Sequence, residues 1–210
     1  MNQYINLKSA KVDKKLFNFL NATKREFNTF FNFKIIDSLL YFLDSRQDLD
    51  LIMGRKTESW LVAVTRNNCI YILDKKKFSS ELTHKTEDFW QTLRHEYSHI
   101  YYTQITKSHY PAWLNEGLAS HLSGKKLLTK NNEQEKLLNV FNYFNKSDSD
   151  VYVVGQYWVE FLIKKHGKKK MIMLIKSLDV KSELSSQYFA KQFYKIYGFR
   201  FNKKSFAKFL

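Results

Sequence analysis

The stretch LRHEYSHIYY, residues 93–102, holds two histidines four positions apart, with a glutamate directly after the first. On an α-helix, residues four apart lie on one face, so His95 and His99 can aim two imidazole nitrogens at one metal ion. Glu96 is turned about 100° from His95. That keeps it out of the ligand pair but within reach of a water held beside it. Two nitrogens do not make a stable site: catalytic zinc takes three protein ligands and leaves one position for water. Glu116, in WLNEGLAS, is the candidate for the third ligand.

These residues need elements that bring them together. In TEDFWQTLRHEYSHIYYTQI, 86–105, residues Phe89, Trp90, Leu93, Tyr97, Ile100 and Tyr101 fall at three- and four-residue steps. That spacing predicts a helix with the histidines in its middle. Thr86 is the expected N-cap, and Glu87 and Asp88 fall in the first turn, where the helix dipole favours negative charge. PAWLNEGLASHLSG, 111–124, starts with Pro and ends in Gly, the start and stop pair of a second helix. The polar stretch 103–111 turns the chain, so this second helix packs back on the first and presents Glu116. Trp113 and Leu114 are its expected core anchors.

Upstream, residues 13–33 carry helical spacing, and IIDSLLYFLDS, 35–45, fits either strand or helix, with a strand favoured near 38–43. WLVAVT, 60–65, and CIYIL, 69–73, joined by RNN, predict an antiparallel hairpin. Downstream, helices are expected around 133–145 and over 155–167, 168–178 and 185–198. Mixed elements first and helices afterwards predict an α+β fold. A single domain over 1–210 is expected, with a mixed lobe over 1–124 and a helical lobe over 125–210.

HEYSH followed by PAWLNEGLAS resembles the HExxH…E zinc metallopeptidases called gluzincins, and within them the compact peptidase MA-like families. The likeness is strongest over 90–124. It continues more weakly over 152–178, YVVGQYWVEFLIKKHGKKKMIMLIKSL. The resemblance implies a zincin-like fold with one Zn2+ held by His95, His99 and Glu116, Glu96 as general base, and a peptide or protein substrate. It also implies an extended substrate pairing with an edge strand of the sheet, for which residues 69–73 are the expected edge. In aminopeptidase-like gluzincins a tyrosine three before a glycine donates to the oxyanion. YVVG gives Tyr152 that place, with Tyr157 the competitor and plain aromatic packing the alternative for both. One departure stands out: several gluzincins carry an acid four positions beyond the ligand glutamate to orient the first histidine, and here that position is Ser120.

Composition bounds the remaining possibilities. The chain has 210 residues, 44% of them hydrophobic and 17% aromatic, with one proline and six glycines, which suits a folded, helix-rich domain. The net charge of +15 admits nucleic acid or an acidic partner, although no nucleic-acid motif accompanies it. A non-catalytic, zinc-stabilised basic module is therefore the alternative to a peptidase, and the presence of Glu96 speaks against it, since a structural site needs no base. Cys69 stands alone and reads as a buried core thiol. No signal core precedes the domain and no run of eighteen apolar residues occurs, so the expectation is a cytoplasmic protein without a membrane span. His121 is a further candidate for the cleft wall; Glu160 is expected to be exposed. His84, His109 and His166 have no ligand-like spacing.

Overall fold

The structure is a computed structural model that describes residues 14–36, 38–76, 88–125, 134–146, 148–180 and 184–210. The fold is α+β, with helices around a small mixed sheet. Helix α1 (Lys14–Phe31) is followed by β1 (Leu39–Leu43), α2 (Arg46–Met53), β2 (Ala63–Arg66) and β3 (Cys69–Leu73). Then come the two long central helices, α3 (Asp88–Thr106) and α4 (Ala112–Ser123). The rest is helical: α5 (Gln134–Leu137) running into a 3-10 turn (Leu138–Asn142), α6 (Asp150–His166), α7 (Lys168–Lys176), α8 (Ser186–Tyr197) and the short α9 (Lys203–Phe206).

The hairpin forms because Asn67 and Asn68 both take positive φ, 51° and 60°. That is the backbone of the two-residue turn matching the twist of paired strands. The sheet order is β1-β3-β2, with β1 parallel and β2 antiparallel to β3. The expectation that residues 69–73 form the free edge is therefore wrong: β3 is the central strand, and β2 is an edge among the described residues. The parallel partner β1 reaches β3 by a crossover through α2 and covers the side a hairpin alone would leave open.

Helix α2 was not anticipated. Its signals are Ser45 and Asp48, which form a reciprocal capping box, and Gly54, which stops the helix at φ 69°. It acts as a clamp. Arg46 donates to the Thr57 hydroxyl (3.0 Å) and to the carbonyls of Glu58 (2.8 Å), Ser59 (2.6 Å) and Leu61 (2.9 Å). Asp50 accepts from the backbone N–H and hydroxyl of Thr57 (2.7 and 2.6 Å). These bonds draw 57–61 away from ladder geometry, so β2 begins at Ala63 rather than at residue 60. Cys69 also differs from expectation: as the first residue of β3 it is half-buried, in the outward phase of the strand's alternation.

Helix boundaries differ as well. Asp88 sits in the first turn of α3, while Thr86 and Glu87 lie outside the described residues. The helix expected around 133–145 is α-helical for one turn and then tightens to 3-10 geometry. Helix α6 starts at Asp150, which brings Tyr152 inside its first turn instead of ahead of it. None of the described helices is long and apolar enough to cross a membrane.

One apolar core runs from α1 to α9, with Trp113, Leu114 and Trp158 fully buried in it. Pro111 offers α4 no capping side chain; instead the N–H groups of Ala112 and Trp113 donate to the carbonyls of Phe144 (2.8 Å) and Tyr143 (3.0 Å). Helices α4 and α6 touch backbone to backbone. A Cβ on Gly117 would lie 2.3 Å from the Gly155 carbonyl oxygen, and one on Gly155 would lie 2.3 Å from that of Trp113. Only glycine fits at either place, and the crossing fixes Glu116, one residue before Gly117, relative to Tyr152, three before Gly155. Gly117→Ala or Gly155→Ala is expected to destabilise the fold by about 1–3 kcal/mol through overpacking against backbone. Urea unfolding monitored by circular dichroism checks this.

Candidate metal centre

Helix α3 supplies His95, Glu96 and His99 from a position pinned on several sides. Arg94 reaches Glu26 of α1 with two bonds (2.8 and 2.6 Å) and the Leu122 carbonyl of α4 with a third (2.9 Å). Gln104 bonds the Ile36 backbone and Asn68 of the hairpin turn. The Tyr102 hydroxyl donates to the Tyr110 carbonyl (2.8 Å), which holds the turn into α4.

Within this frame α4 presents Glu116 to both histidines. Its Oε2 lies 3.1 Å from His95 Nε2 and 3.5 Å from His99 Nε2. Donors held about 2.0–2.1 Å from a tetrahedral ion are roughly 3.3 Å apart, so the spacing and the donor chemistry, two imidazoles and a carboxylate, both fit zinc. His95, Glu96 and His99 also have ligand atoms within 4.8 Å of one another. Glu116 is nonetheless the better third donor, because one oxygen faces both ring nitrogens while the Glu96 carboxylate is engaged elsewhere. Thr65 of β2 sits 2.8 Å from Glu96 Oε2 and 2.9 Å from the Glu96 carbonyl, and its hydroxyl donates to them.

Asn115 fixes the other side of His99. Its amide nitrogen donates to the His109 carbonyl (3.3 Å), which turns its oxygen towards His99 Nδ1 (2.8 Å). His99 Nδ1 is therefore a proton donor to Asn115, and the neutral ring is left with its lone pair on Nε2, the nitrogen facing Glu116, the arrangement that orients a metal-binding imidazole. Among the described residues no side chain plays this part for His95: Ser120 lines the cavity beside it without bonding its second nitrogen.

The electrostatics reflect three polar groups closed in together. Burial opposes charge on His99, but the Glu116 carboxylate, with Glu96 and Asn115, pushes its pKa up to about 9. Burial likewise opposes ionisation of Glu116, yet the two imidazoles hold its carboxyl well below the usual carboxylate range. Tyr152 lies with its ring centroid 5.9 Å from that of His95 and packs edge-on against Trp60. Burial and the nearby Glu116, Glu96 and Glu58 carboxylates raise its pKa strongly, so the phenol stays a proton donor.

Tyr152 lines both cavities beside the histidines, whereas Tyr157 packs edge-on against Trp158, away from those cavities. His121 faces Glu160, 3.5 Å away, rather than the cleft, and Glu160 is exposed. His109 does line the site, burial and neighbouring His99 lowering its pKa. Thr65, Asn115 and His109 are the residues that sequence reasoning passed over. Asn115 had a signal, standing next to Glu116 in WLNEG. Thr65 had none, being 31 residues from its partner.

Edge strand β2 borders the site. Leu73 N–H donates to the Val62 carbonyl (3.0 Å), so Val62, Val64 and Arg66 turn their backbone groups towards β3. By the same alternation Ala63 and Thr65 turn theirs to the other side, where no strand pairs among the described residues. Comparison of the chain with protein-family models, with curated proteins and with solved structures finds no match.

For any metal ion entering this site, the raised pKa of His99 sets a pH dependence. Below about 9 the metal-free site holds a proton that an incoming ion must displace. Zinc affinity is therefore expected to rise with pH up to about 9 and level off above it, with about one proton released per ion at neutral pH. Calorimetric titration in buffers of differing ionisation enthalpy measures that proton.

Proposed function

We propose that this protein is a zinc-dependent peptidase of the gluzincin type, with His95, His99 and Glu116 as metal ligands and Glu96 as general base. The observation that carries this reading is the convergence of one Glu116 oxygen on both histidine Nε2 atoms, with Glu96 and an open strand edge alongside. When bound, zinc supplies Lewis acidity that acidifies a water and polarises a peptide carbonyl. Glu96, oriented by the Thr65 hydroxyl, accepts the proton of the attacking water and returns it to the leaving amine. Asn115 holds His99 in the tautomer that leaves Nε2 free to ligate. The Tyr152 hydroxyl donates to the oxygen that gains negative charge as the carbonyl carbon becomes tetrahedral. An extended substrate pairs with the outward N–H and C=O groups of Ala63 and Thr65, giving β2 the role the sequence assigned to 69–73.

Glu96→Gln is expected to keep its zinc and lose hydrolysis by about 10²-fold or more, because an amide cannot take the proton. Metal analysis beside a peptide-cleavage assay measures both quantities; wild-type turnover in that variant would remove Glu96 from its role.

Tyr152→Phe is expected to lower kcat by roughly 2–4 kcal/mol of barrier with little change in KM or zinc content. Tyr157→Phe, altering a ring turned away from the cavities, is expected to leave kcat unchanged. The reverse pattern in steady-state kinetics would transfer the role to Tyr157.

A further inference from the structure

Two cavities meet at the site. They share Leu61, Ala63, His95, Glu96 and Tyr152 and part from there in opposite directions along one strand run. The first, about 250 Å³, follows the chain back to Trp60 and Val62 and is lined also by Val153 of α6. The second, about 230 Å³, follows the chain forward to Val64 and Thr65 and is lined by His109, Asn115 and Asn145. We propose that this cleft takes an internal segment of a polypeptide, making the protein an endopeptidase, with an apolar substrate side chain seated between Trp60, Val62 and Val153. The inference rests on the peptidase reading and names its substrate class.

The strand edge supplies the first reason. Ala63 turns its N–H and C=O outward beside Glu96 and Tyr152, so a paired chain has its reacting bond opposite the middle of the run. At about 3.3 Å per residue, such a chain has neighbours on both sides of that bond within Leu61 to Thr65. A second reason is charge. Holding a free amino terminus takes a carboxylate to spare, and among the described residues the carboxylates lining the two cavities are Glu96 and Glu116. Both already have partners. The third reason is size and chemistry. Each cavity is smaller than the ~300–1,000 Å³ of a small-molecule site, which suits one side chain. Trp60, 43% exposed, lines the first cavity with Val62 and Val153, so seating an apolar group there removes apolar surface from water on both partners. The imidazole and amides of the second suit a polar neighbour.

The test incubates the zinc-loaded protein with mixed short peptides, acetylated and amidated, beside the same peptides with free ends. Mass spectrometry identifies the products. The expected result is internal cutting of the blocked peptides, with Leu, Phe, Met or Val at one fixed position beside the cut. Val153→Lys, checked for zinc content and thermal midpoint, is expected to lower turnover of those peptides about ten-fold relative to peptides with Glu at that position. Trp60→Ala, at the rim, is expected to weaken the same preference and replaces Val153→Lys should that variant fail to fold. Cutting that requires a free amino end, or a free carboxyl end held by Lys125 of the first cavity, overturns the inference and leaves the peptidase reading standing. Internal cutting without apolar preference, or a preference that neither variant changes, overturns the pocket assignment. Cleavage of no peptide at all by the zinc-loaded wild type removes the peptidase reading and this inference with it.

Discussion

The confrontation of one carboxylate with two imidazoles inside the molecule is the constraint the rest of the structure answers to. Glu96 and His99 are less than a tenth exposed, and Glu116 faces both histidines from the neighbouring helix. Burying such groups without partners costs several kcal/mol each. Each therefore has a designated partner: Thr65 for Glu96, Asn115 for His99, and the imidazole pair for Glu116. These partners come from β2, α3 and α4, so the site exists only when all three are docked. The Arg94 and Gln104 bonds that tie α3 to α1, α4 and the hairpin hold that docking in place.

The same logic explains the two glycines. A metal centre tolerates little error in the distance between ligand and supporting group. Side chains between α4 and α6 would add a layer whose packing sets that distance only loosely. Backbone contact at Gly117 and Gly155 leaves one separation available, and so Tyr152 stands at a fixed offset from Glu116. The aromatic residues that fill the core behind this crossing, Trp113 against Phe189 and Phe201, and Trp158 against Phe206, back it from the far side.

How much of this was legible in the sequence follows from the range of each interaction. His95, His99 and Glu96 were readable because helical period alone decides which of them share a face. Glu116 was readable because one short turn separates its helix from theirs. The α+β order and the hairpin were legible from period and turn residues. Strand order was not: β1 pairs with β3 across a crossover, and no local pattern in LLYFL says which edge it takes. Helix α2 was missed although Ser45, Asp48 and Gly54 mark its ends, because its eight residues are few for a period to be read, and its role depends on Arg46 reaching carbonyls twelve or more positions away. The early start of α6 was obscured for a related reason, since Asp150 closes the polar stretch NKSDSD, which reads as loop until the helix behind it is packed.

The residues passed over share a property. Thr65 and Asn115 hold Glu96 and His99 by hydrogen bonds, the His109 carbonyl holds Asn115, and their identities are ordinary in a strand, a helix and a loop. What makes them matter is the direction of a single hydrogen bond. An Asn115 amide turned the other way would present N–H groups to His99 Nδ1, and the ring would then have to protonate Nε2, the nitrogen that faces Glu116. The His109 carbonyl prevents that flip by accepting from the amide nitrogen. A backbone oxygen in the turn between α3 and α4 thus decides which nitrogen of a buried histidine is left free when the ring is neutral. In the proposed peptidase, that turn determines ligand chemistry as well as helix connection.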